Sequence, residues 1–175
     1  MLKRFVLTVF TVFLALVLVG APAMAQDSSQ ATTDEVYDII LKAVNVLGTL
    51  GEEGLAAFND PKGEFSYKDT YVMVINCDTM KIVAHPNPKL VGLDVAEGMD
   101  KNPDPAKQIN PNVAVCEVKK NPNGGWVEYY WEKLGETTPS RKISFALGVP
   151  ETPWVLVAGI YNDTISVQEL NAKIP

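Results

Sequence analysis

Gly124-Gly125-Trp126-Val127-Glu128-Tyr129-Tyr130-Trp131 is a glycine turn feeding a strand that carries aromatic side chains at 126, 129, 130 and 131. Aromatic rings give large, stiff surfaces, and the indole N–H and phenol O–H at their tips can orient a ligand. Strand alternation sets Val127, Tyr129 and Trp131 on one face and Trp126, Glu128 and Tyr130 on the other. One face therefore meets a core or a pocket, and the other meets solvent or a second layer. On this stretch alone, rings filling a sheet core are the simpler reading.

Downstream, two further strands are expected, Lys142 to Val149 and Trp154 to Tyr161, around the turn Pro150-Glu151-Thr152-Pro153. Upstream, the β-branched run from Tyr71 to Ile75 reads as a strand, turning at Asn76-Cys77-Asp78-Thr79 into Lys81 to His85. Pro86, Pro88, Pro103, Pro105 and Pro111 make the intervening segment too proline-rich for regular sheet, so short helical turns are expected there. Before the strands, Thr32 and Glu35 have capping-box spacing, and Val36, Ile39, Ile40, Ala43, Val46, Leu47 and Leu50 recur at helical spacing. This helix is expected to reach about Phe58. Gly48, Gly51 and Gly54 either let it lie close to a sheet or break it near Gly51, and close packing is favoured. Asn162 to Ala172 reads as a short closing helix with Asp163 as cap. The pattern predicts an α+β fold: a five-stranded antiparallel sheet with a long N-terminal helix packed across one face.

Residues 1–25 read as a signal peptide. Lys3 and Arg4 precede an apolar run from Phe5 to Val19, and Ala23-Met24-Ala25 suits cleavage before Gln26. An uncleaved anchor is the rival, since the run is only slightly short of a span. The expected mature chain is one domain over 26–175, periplasmic or secreted. Without Lys3 and Arg4 the 15 basic residues fall to 13 against 21 acidic, a net charge of −8, which disfavours nucleic acid or anionic membrane as the main partner. Two cysteines, Cys77 and Cys116, suggest one disulfide in an exported chain, with two separate thiols as the alternative. One histidine excludes a His-based metal cluster.

The ordered pieces Gly51–Asp60, Gly63-Glu64-Phe65, Tyr71-Val72-Met73-Val74, Ala84-His85-Pro86, Leu90-Val91-Gly92, Gly125–Tyr129 with Trp131, Lys142-Ile143-Ser144-Phe145 and Gly159-Ile160-Tyr161 resemble the Cache family of extracytoplasmic sensor domains, of the small single-Cache type. The resemblance spans about residues 33–163. It implies a PAS-like fold in which small ligands, short carboxylates prominent among them, bind between the sheet and its connecting loops. Such domains usually sit between the membrane spans of a chemoreceptor or histidine kinase, whereas an exported stand-alone domain is expected here. Met73 stands where the family often has an aromatic, and Phe145 where it often has Tyr.

A carboxylate needs a fixed cation or several donors in a partly dry cavity. On its own, Lys142 beside Arg141 would read as a solvated strand end; with the resemblance, Lys142 becomes the expected cation, on a face shared with Ser144 and Ala146. His85, held extended before Pro86, is a candidate donor responsive to mild acidity, or else a loop-fixing histidine. Tyr129, Trp131 and Met73 are expected to shape the cavity, and Tyr71 and Tyr161 to supply further hydroxyls unless they are core tyrosines. Ser144 has no adjacent base, no carboxylate pair is placed by a recognisable motif, and neither phosphate-loop nor dinucleotide patterns occur. The expectation is a binding protein that is not an enzyme and carries no cofactor. It would recognise a small organic anion and present it to a membrane sensor kinase, chemoreceptor or transporter. A ligand-free interaction module, or a homodimer through the N-terminal helix, is the alternative use of the fold.

Overall fold

The computed structural model describes residues 29–133 and 136–175; the leader expected over 1–25 lies outside them. Thr32 caps helix α1 (Thr33–Leu50): its hydroxyl accepts from the Glu35 N–H at 3.1 Å, and the Glu35 carboxylate accepts from the Thr32 N–H at 2.9 Å. The helix does not continue to Phe58. At Gly51 the backbone turns to φ 58°, ψ −137°, and Gly51–Phe58 follow as a 3₁₀ turn. Positive φ is available to glycine at little steric cost, so the glycines mark a break. A side chain at Gly54 would meet Leu47 and Leu50 at 3.1 and 3.3 Å, which shows the turn folded back on α1 itself.

The strands are β1 (Ser66–Tyr67), β2 (Thr70–Tyr71), β3 (Met73–Asn76), β4 (Lys81–Ala84), β5 (Gly125–Glu132), β6 (Pro139–Gly148) and β7 (Trp154–Tyr161). β1 and β2 form a small hairpin, and the other five form one antiparallel sheet in the order β4-β3-β7-β6-β5. The two outer strands are therefore the second and third of that sheet in sequence, separated by the proline-rich crossover. Two short 3₁₀ turns, Pro88–Leu90 and Pro105–Lys107, lie in it, and helix α2 (Pro111–Val118) closes it. Asn110 caps α2 and Pro111 occupies its first turn, where the missing N–H costs nothing. The closing helix α3 (Val167–Asn171) is shorter than expected and is capped by Ser166, not Asp163.

The sheet carries two apolar layers. Val36, Ile40, Ala43 and Leu47 of α1 pack with Val74, Trp126, Phe145, Leu156 and Ala158 on one face. Ile75, Ile82, Val95, Val115, Ala146, Val155 and Val157 pack beneath the crossover and α2 on the other. The α1 stripe is thus consumed by the sheet, and of its large apolar residues Leu41 and Leu50 remain exposed. Cys77, just after β3, is bonded to Cys116 on α2, fastening that helix to the β3–β4 hairpin.

Candidate functional site

On the crossover side of the sheet lies a cavity of about 200 Å³. Its floor comes from sheet residues brought together by register: Tyr129 of β5 faces Lys142 of β6, and Tyr161 of β7, opposite Lys142, lies outside the lining. Met73 of β3 pairs with Val157 of β7. Tyr71, His85 and Trp131 complete the predicted lining. The roof is Leu90, Leu93, Val95, Pro111, Asn112 and Val115, from the crossover and α2. Sequence reasoning missed this roof. Asn110-Pro111, a cap residue followed by proline, was the local signal for α2, but nothing local says which face of the sheet it covers.

Lys142 is 8% exposed. Its ammonium lies 5.2 Å from the ring centroids of both Tyr71 and Tyr161, and among the described residues it forms no hydrogen bond or ion pair. Every fully occluded side-chain N or O among the described residues has a partner, so the unpartnered Nζ keeps some accessible surface, and Lys142 is one of the residues lining the cavity. Burial lowers its pKa from 10.5 to about 8, opposed by the charge of Asp69. At neutral pH it is still mainly an ammonium ion.

The Nδ1 of His85 accepts the Asn87 N–H at 2.8 Å, so the ring proton of the neutral imidazole sits on Nε2. The backbone N–H of His85 donates to Asn59 Oδ1, and its ring meets Tyr71 edge-on with centroids 4.8 Å apart. Burial, then the charge of Lys142, lowers its pKa from 6.5 to about 4. His85 is therefore a neutral donor, and it does not respond to mild acidity as the sequence suggested. Neither its Nε2 nor the Tyr71 hydroxyl has a protein partner among the described residues, and both residues line the cavity.

The remaining candidates divide. The Tyr129 hydroxyl is 3.0 Å from Ser144 Oγ, and burial raises its pKa. Ser144 itself fits only because β7 has glycine opposite: a Cβ at Gly159 would lie 2.1 Å from Ser144 Oγ. Tyr161 does not line the cavity. Its hydroxyl donates to the Glu132 carbonyl at 2.7 Å, so it offers a ring against Lys142 and no free donor. Trp131, 37% exposed, stands at the rim with the Lys101 ammonium 5.8 Å from its ring. Arg141 is engaged elsewhere, with Glu128 and the carbonyls of Asn162 and Ile165. Three unpartnered donors thus converge on one small space whose walls are otherwise mainly apolar.

A Cache domain model matches residues 59–166. The chain belongs to the Cache domain family. Its fold is that of solved sensor domains. One is a Cache chemosensory domain described for carboxylic acid recognition, with 23% identity, TM-score 0.58, and coverage of 74% of this chain and 92% of that one. Another is the periplasmic sensor domain of a chemotaxis protein, with 24% identity, TM-score 0.55, and coverage of 74% and 90%. A third is a methyl-accepting chemotaxis protein from Vibrio parahaemolyticus RIMD 2210633, with 17% identity, TM-score 0.58, and coverage of 76% and 90%. No curated protein sequence matches the chain. Among the described residues, no helix is long and apolar enough to cross a membrane.

Proposed function

We propose that this protein is an exported, periplasmic sensor-type binding protein for a short organic carboxylate, which it presents to a membrane signalling or transport partner. The observation that carries this reading is the Lys142 ammonium, buried beside two tyrosine rings and facing the cavity without a counter-ion among the described residues. An uncompensated buried charge is costly, and an anion in the cavity would relieve it. The carboxylate would take charge-assisted hydrogen bonds from Lys142, with His85 Nε2–H and the Tyr71 hydroxyl as further donors. Met73, Tyr129 and Trp131 would enclose the remainder. Ligand pockets commonly measure roughly 300–1,000 Å³, so a cavity of about 200 Å³ favours a ligand of few heavy atoms. Sensing fits these groups better than catalysis, because Ser144 is bonded to a tyrosine hydroxyl with no base in view.

Thermal denaturation with a panel of two- to four-carbon acids and amino acids tests this, with Lys142→Ala alongside. A ligand at a hundred times its dissociation constant stabilises the native state by about 2.7 kcal/mol. A shift confined to small carboxylates and lost in Lys142→Ala is expected. A folded protein that shifts with none of them would leave the interaction-module reading, and sedimentation would then ask whether α1 pairs two copies.

A further inference from the structure

The roof of the cavity is fastened to both edges of the sheet. On the β4 edge, Gly92 N–H donates to Ile82 O at 2.7 Å, Ile82 N–H to Leu93 O at 3.1 Å, and Val95 N–H to Met80 O at 2.8 Å. On the β5 edge the attachment is of another kind, built around one buried carboxylate. Asp100 is 3% exposed. Its Oδ1 accepts the Ile109 N–H at 3.1 Å and its Oδ2 accepts the Tyr130 N–H at 2.9 Å. Backbone bonds flank it, Asp100 N–H to Ile109 O at 2.7 Å and Lys101 N–H to Tyr130 O at 3.0 Å. Lys101 then reaches Glu132 at 2.8 Å and lies over the Trp131 ring.

Tyr130 sits between the cavity residues Tyr129 and Trp131, and Ile109 lies two residues before Pro111 of the roof. One carboxylate therefore closes the 100–109 stretch of the crossover on itself and ties it to the strand that supplies the wall. We infer that Asp100 is a positioning residue: it latches the cavity's roof to β5, and release of this latch governs how fast ligand enters and leaves. The ligand part of this inference rests on the carboxylate-binding reading; the latch itself does not.

Asp100→Asn is the test. An amide keeps one acceptor oxygen and turns an NH₂ toward the other N–H donor, so one of the two bonds must fail. Hydrogen exchange of the whole protein should show the Ile109 and Tyr130 amides exchanging at least tenfold faster in the variant, with the α1 amides unchanged. In stopped-flow binding with propionate, or whichever acid the panel selects, association and dissociation should both accelerate severalfold while their ratio moves less. Unchanged exchange at Ile109 and Tyr130, or acceleration spread equally through α1 and the sheet, would overturn the latch. If no acid binds the wild type, the functional proposal fails and the exchange result still decides the latch. Should the variant not fold, the wild type decides: Ile109 and Tyr130 must show a common opening free energy once intrinsic rates are removed, and unequal values overturn the inference.

Discussion

Replacing Lys142 by methionine is expected to abolish anion binding and to change the pH dependence of stability in a definite direction. The fall of the Lys142 pKa from 10.5 to about 8 measures what burial charges against the ammonium form. At about 1.36 kcal/mol per pKa unit this comes to about 3 kcal/mol. Methionine fills similar unbranched volume without a charge, but it forfeits the cation–π contacts with Tyr71 and Tyr161, worth about 2 kcal/mol each in a desolvated site. The two effects offset each other at pH 7, so the informative quantity is the pH dependence of the gap, read at roughly 2–4 °C of melting temperature per kcal/mol for a domain of this size. The sign with pH is definite. The folded pKa lies below the unfolded one, so the unfolded chain binds the proton more tightly, and wild-type stability climbs as pH rises from about 8 to 10.5. The wild type should therefore gain on the variant across that window, by about 3 kcal/mol in all. Melting curves of both proteins at pH 7, 9 and 10.5, without added acids, measure it. A gap that ignores pH, or one that moves in the variant's favour as pH rises, would refute the claim that burial disfavours this ammonium.

Reduction of the Cys77–Cys116 bond removes a cross-link spanning 39 residues, which chain-entropy arguments value at about 4 kcal/mol. Denaturant midpoints with and without reductant should differ accordingly, and carboxylate affinity should weaken too, because α2 contributes Pro111, Asn112 and Val115 to the roof. The lowered pKa of His85 makes the native state lose stability as pH falls from 6.5 through about 4, since the unfolded imidazole takes up the proton first. Comparison with His85→Gln isolates this from the carboxylates. The variant should show a shallower decline, by roughly 2 kcal/mol at pH 4, and equal slopes would show that His85 is not held neutral.

Much of the fold was legible because its signals are local. The β-branched runs, the glycine and proline turns, and the capping box each act within a few residues, and they place five strands and α1 close to where they occur. The end of α1 was misread because glycine is compatible with both tight packing and a break, and only the backbone angles at Gly51 distinguish them. That Tyr129 and Lys142 share one face was legible for a related reason, since strand alternation and register are local, and both do line the cavity. Tyr161 shows the limit, since its hydroxyl is taken by a carbonyl 29 residues away in sequence.

The sequence by itself determined the class of fold, the two-sided character of the sheet and the residue types available for holding an anion, because pattern and propensity are properties of short segments. Tertiary structure alone decided that the crossover roofs the β3, β5 and β6 residues, that Lys142 is left without a counter-ion among the described residues, and that Asp100 spends its charge on two backbone N–H groups. These are matters of which distant groups meet and which do not. Burial and the pairing of charge are sums over the whole chain in space, and no window of sequence contains them.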